Sequence, residues 1–139
     1  MSLLRKAALM AAAPALLLAG SVTPAVAEPA SPQPPAAGEW VLVAASGDFT
    51  AQASWSQSKT WGSTAGTITF TSASGWVKDL ASDGYCAQVV IEWFGSNGKY
   101  DDDYSGQACP KGDVDSFSKA PGDSSSWTAT SYVVWMQKV

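Results

Sequence analysis

Tyr85-Cys86-Ala87-Gln88-Val89-Val90-Ile91-Glu92-Trp93-Phe94-Gly95-Ser96-Asn97-Gly98 is the stretch that decides the fold. Read with a period of two, Tyr85, Ala87, Val89, Ile91 and Trp93 form one uniformly apolar face, which must be buried. Cys86, Gln88, Val90, Glu92 and Phe94 form a mixed, partly wet face. Asn97-Gly98 ends the run with the strongest short hairpin signal, because a type I′ turn needs φ > 0 at both central positions. A two-residue turn there sets Cys86 directly opposite Cys109, Glu92 opposite Asp103 and Phe94 opposite Asp101. Directly opposed Cα atoms in an antiparallel pair lie about 4.5–5.5 Å apart, within disulfide range. A bulge at Gly95 or Gly106 shifts that register.

Outward from this hairpin the pattern stays β. Residues 40–45 are a short apolar run, and residues 49–55 alternate through Phe49, Ala51, Ala53 and Trp55. Residues 66–72 are rich in β-branched side chains, with Ile68 and Phe70 on one face and threonines on the other. Residues 76–80 and 127–139 continue the series. Clusters of Gly, Asp, Asn and Ser separate the runs at the spacing of a sandwich or barrel, and no segment keeps a helical period. The expected fold is all-β: an antiparallel β-sandwich of seven or eight strands with one disulfide, Cys86–Cys109.

The N-terminal 27 residues read as a signal peptide. Arg5 and Lys6 precede an apolar stretch interrupted by Pro14, and Ala25-Val26-Ala27 is a small-x-small cleavage site. Ser21 stands where a lipid-anchored export signal needs cysteine. Residues 28–38 form a Pro/Ala-rich leader without apolar period, expected to be disordered, and residues 39–139 form the domain. The expected location is secreted and extracellular, and an isolated cysteine pair in that oxidising compartment reads as one disulfide.

Composition narrows the function classes. Past residue 27 the chain has 6 basic and 12 acidic side chains, a net charge of −6 that disfavours nucleic-acid and membrane partners. Histidine is absent, which removes the commonest general base at neutral pH, the commonest zinc ligand and every His-dependent nucleophile. Serines are plentiful, but no activating base accompanies them. No cofactor is expected, with calcium as the alternative. Glu92, Asp101 and Asp103 could hold that hard cation; the bland reading of Asp101-Asp102-Asp103 is a charged edge strand that discourages pairing. Glu92 and Asp103 are also a spacing at which a carboxylate-pair hydrolase would work.

Seven tryptophans in so short a chain imply large aromatic contact area. They either fill a small β core or stand exposed as a binding platform. Trp55, Trp61 and Trp76 are the candidates for exposure, because they lie at or beside turns.

Val77-Lys78-Asp79, Asp83-Gly84-Tyr85-Cys86, Ala108-Cys109-Pro110-Lys111-Gly112 and Asp115-Ser116-Phe117-Ser118 together resemble a group of small exported proteins of high-GC Gram-positive (actinobacterial) species. The match spans about residues 66–139. The resemblance implies a disulfide-pinned β-sandwich outside the cell and brings no activity or catalytic residues. The leading expectation is a monomeric, non-enzymatic module that binds an extracellular glycan or protein. The runner-up is a small inhibitor of an extracellular hydrolase, acting through residues 110–120 or the Trp61 turn. A hydrolase using Glu92 and Asp103 is the third.

Overall fold

The computed structural model describes residues 39–46 and 52–139. Residues 1–38, read from sequence as a signal peptide and leader, and Phe49 and Ala51 lie outside the described residues. Eight strands follow in order: β1 (Glu39–Ala45), β2 (Gln52–Ser58), β3 (Gly62–Thr69), β4 (Ala73–Asp79), β5 (Ala87–Phe94), β6 (Tyr100–Tyr104), β7 (Val114–Lys119) and β8 (Ser131–Lys138). They form two four-stranded antiparallel sheets, the first ordered β1-β8-β5-β6 and the second β2-β3-β4-β7. The fold is the expected all-β sandwich with the Cys86–Cys109 disulfide.

Alternation drives the packing. Ala87, Val89, Ile91 and Trp93 of β5 point inward and are buried, as are Tyr132, Val134 and Met136 of β8. They meet Ile68, Val77, Trp55 and Phe117 from the second sheet in one core. In that second sheet Trp55, Gly66, Gly75 and Phe117 form one row across the four strands. The two glycines leave a floor over which the Trp55 and Phe117 rings stack, 6.3 Å apart and 9° from parallel. A Cβ at Gly66 would run into the Trp55 ring, so close approach, not a turn, requires glycine here.

Three details correct the expected β5 hairpin. First, Tyr85 is not on the buried face: it precedes β5 and is 55% exposed. Second, the loop is Ser96–Gly98, three residues long. Asn97 and Gly98 do adopt φ of 59° and 72°. However, the Lys99 carbonyl accepts from Gly95 N–H at 2.8 Å, so Phe94 faces Tyr100, Glu92 faces Asp102 and Trp93 faces Asp101. Third, a bulge after Ser105 restores the lost residue. Ser105 still exchanges bonds with Val89, its N–H donating to the Val89 carbonyl while its hydroxyl oxygen accepts from Val89 N–H. Beyond Gly106 and Gln107, Ala108 pairs with Ala87. The two offsets cancel, and Cys86 meets Cys109 at a Cα separation of 4.8 Å.

At the other end of the chain, Trp127 precedes β8 in a loop held by its N–H donating to the Pro121 carbonyl, so the last strand begins at Ser131 and not at Trp127.

Candidate binding face

The one-residue change of register decides what each face of the first sheet carries. Asp101 and Asp103 turn toward the sandwich interior at the β6 edge, while Tyr100, Asp102 and Tyr104 turn outward. On the outer face the strands line up in rows. Gln137 and Gln88 bond side chain to side chain at 2.7 Å beside Trp40. Leu42, Trp135, Val90 and Tyr104 form the next row, Val133, Glu92 and Asp102 the third, and Ser131, Phe94 and Tyr100 the last. None of these positions is Lys or Arg.

This face has two layers. Val90, Val133 and Trp135 are buried and pack with Trp40, whose ring meets Trp135 edge to face at 6.3 Å. Beside them on the same face stand Leu42, Phe94, Tyr100 and Tyr104, exposed by between 36% and 51%. Phe94 and Tyr100 lie against each other with centroids 5.4 Å apart. The buried Glu92 carboxylate braces both layers: Oε2 accepts from Trp135 Nε1–H at 2.7 Å and Oε1 from Tyr100 O–H at 3.1 Å. Tyr104 O–H donates to Asp102 Oδ2 at 2.9 Å. Burial, followed by the charge of Glu92 and its hydrogen bond, pushes the Tyr100 phenol far above its ordinary value. The Asp102 hydrogen bond raises the Tyr104 phenol, with burial second. Both phenols therefore stay protonated, and the carboxylates accept from them.

The rings singled out from sequence lie elsewhere, and two of the three are corrected. Trp55 is 6% exposed, stacked in the core with Nε1–H donating to Thr64 Oγ1 at 3.2 Å. Trp61 does sit in the two-residue turn between β2 and β3, yet its ring is 5% exposed and its Nε1–H donates to Glu39. It closes one end of the core, because a turn over the open end of a sandwich is where a large apolar ring can still be buried. Trp76 alone is exposed, at 38%, and it stands on the outer face of the second sheet beside Lys78, Val114 and Ser116. The three do not form a platform.

The carboxylate sites change too. Glu92 lies on the outer face and Asp101 and Asp103 on the inner one, so these three groups cannot close around one calcium ion, nor can Glu92 and Asp103 flank one glycosidic bond. Asp103 accepts from Trp93 Nε1–H at 3.0 Å and pairs with Lys119 across the sandwich edge at 3.9 Å, while Asp101 accepts from Gly122 N–H at 2.7 Å. Among the described residues no group of three or more His, Cys, Asp or Glu side chains is placed to hold a metal ion. Inward charges on β6 instead blunt an open sheet edge. Residues 110–120 form a tight turn, in which Gly112 N–H donates to the Asp79 carbonyl, and then β7, so they do not project as a loop.

The outer face was missed because Phe94, Tyr100, Tyr104, Trp40 and Trp135 belong to four strands that no spacing along the chain connects. The signal that could have found it was the mixed face of β5 with the Tyr–Asp alternation of residues 100–104. Comparison with protein-family models, curated proteins and solved structures finds no match to this chain.

Proposed function

We propose that the protein is a secreted, non-enzymatic binding module that holds an extracellular glycan on the outer face of the first sheet. The observation that carries this reading is the group of half-exposed rings, Phe94, Tyr100 and Tyr104, braced beside the buried Trp135 and Glu92. Rings held this way present flat apolar surface at little ordering cost, and adjacent phenols and carboxylates can hydrogen-bond hydroxyls. Tyr100 and Tyr104 sit four residues apart on one strand face, about 13 Å along the strand, which suits an extended chain. With carboxylates but, among the described residues, no Lys or Arg in the rows of this face, an acidic polysaccharide is repelled and a neutral or amine-bearing one is favoured. A disulfide in a small domain and the N-terminal export pattern agree with work outside the cell. Among the described residues no helix is long and apolar enough to cross a membrane.

Retention on insoluble polysaccharides tests the reading. Neutral glycans such as cellulose or chitin should retain the protein, and a polyuronate should not. Tyr100→Ala combined with Tyr104→Ala should reduce retention at least tenfold with an unchanged fold. Failure on every polysaccharide, or full retention of the double variant, overturns it.

A further inference from the structure

At the disulfide end of the sandwich, the segment after β4 and the turn before β7 line a half-open cavity of about 540 Å³. That volume is within the range of small-molecule sites, about 300–1,000 Å³. Its walls are Ala81, Tyr85, the Cys86–Cys109 bridge and Pro110, with Asp79 and Lys111 as the charged groups.

The two charges differ in depth. Asp79 is 2% exposed, whereas Lys111 is exposed at the rim. Asp79 Oδ1 accepts from Ala81 N–H at 3.0 Å, but among the described residues Oδ2 is buried with no hydrogen-bond partner. Leaving a buried carboxylate oxygen unpaired costs far more than a surface charge, and native folds seldom tolerate it without a partner. Among the described residues Lys111 makes no ion pair, and Lys138 is already committed to Asp83 at 2.6 Å and to the Tyr85 ring at 4.8 Å. Those contacts, with Tyr85 N–H donating to Asp83 Oδ1, fix one wall of the cavity. The disulfide ties that wall to the other. The cavity thus has fixed walls, apolar at its sides and cationic at its mouth, with the one unpaired Asp79 oxygen just beneath its surface, so that a ligand group must displace the overlying atoms to reach it.

We propose that this cavity is a second binding site, for a small zwitterion of amino-acid to dipeptide size whose ammonium group donates to Asp79 and whose carboxylate faces Lys111. A simple cation would satisfy Asp79 but meet Lys111 as a like charge, and a simple anion would leave the Asp79 oxygen unpaired. Only a ligand with both charges matches both groups.

Calorimetric titration of the intact disulfide-bonded protein with leucyl-alanine tests the site. Leucyl-alanine should bind saturably, and N-acetylation of the peptide, which removes the ammonium, should weaken binding at least tenfold. Amidation of its carboxylate should weaken binding several-fold. Asp79→Asn should reproduce the first loss and Lys111→Ala the second, with retention on polysaccharide unchanged in both. Absence of leucyl-alanine binding overturns the proposal, as does equal affinity for the N-acetylated peptide. Unchanged affinity on amidation would overturn the zwitterion assignment. The peptide derivatives read the site on the wild-type chain, so the test does not depend on either variant folding.

Discussion

The outer faces of the two sheets solve the same problem differently. Both sheets bury one side in the shared core, so each outer side needs only to be wetted. The second sheet does that with small polar groups: Ser54, Ser56 and Ser58 on β2, Thr67 on β3, Ser74 on β4, Ser116 and Ser118 on β7, all exposed. Trp76 is the lone large ring among them. The first sheet instead carries Trp40, Leu42, Phe94, Tyr100, Tyr104 and Trp135, enough to build a second buried layer outside the core. Nothing in sandwich packing requires that layer, since the second sheet stands without one. A contiguous apolar patch that the core does not need is the feature on which the proposed glycan site rests.

Truncations on the two faces should differ by several kcal/mol if this contrast is real. Trp135→Ala removes the buried ring and strips Glu92 of an N–H donor, so chemical denaturation should show a loss of about 3–5 kcal/mol. Glu92→Gln keeps the shape but loses the charge on two hydrogen bonds. A loss of about 1.5–3 kcal/mol is expected, together with weaker glycan retention as Tyr100 and Trp135 lose their brace. Trp76→Ala, on the opposite face, should change stability by less than about 1 kcal/mol and leave retention untouched. If Trp76→Ala abolished retention and Tyr100→Ala did not, the working face would be the other one.

The edge between the two sheets gives a smaller, pH-dependent effect. Burial holds the Asp103 carboxyl above its usual range, opposed by the Trp93 hydrogen bond and by Lys119. The folded state therefore binds this proton more tightly than the unfolded chain does. Its contribution is fully present below the ordinary aspartate value of about 3.9 and is lost as pH rises through the raised one. Asp103→Asn lacks that loss. Its melting temperature relative to wild type should be higher at about pH 7 than at about pH 4. The opposite trend would mean that the Lys119 pair outweighs burial.

Strand type, sheet number and the disulfide were legible because they rest on period-two patterning and on residues that meet within one hairpin. Val89, Ile91 and Trp93 announce a buried strand whatever their partners are. Exposure of individual rings was not legible. Trp55 and Trp76 each end or begin a polar-looking run, and only Gly66 and Gly75, paired with each other on the next two strands, reveal that Trp55 has a floor to lie on. The facing of Asp101, Asp102 and Asp103 depended on one residue of loop length. Asn97-Gly98 gave the correct backbone conformation, but Ser96 joined the loop, and that alone exchanged inner for outer carboxylates.

That exchange places two local length adjustments in one hairpin. Its loop is one residue longer than a two-residue turn, and its far strand is one residue longer than its partner at Gly106-Gln107. Each deviation is closed off by a backbone pair on either side of it, Gly95 with Lys99 at the loop and Ser105 with Val89 and Ala108 with Ala87 at the bulge. Removing Ser96 alone would leave Gly95 opposite Lys99 across a two-residue turn, with Tyr100 still opposite Phe94. Removing Gln107 alone would leave a regular ladder from Ser105 opposite Val89 to Ala108 opposite Ala87, with Cys109 still opposite Cys86. Length changes in this hairpin are therefore absorbed where they occur, and neither the facing of residues 100–104 nor the cysteine pairing hangs on a compensating change elsewhere.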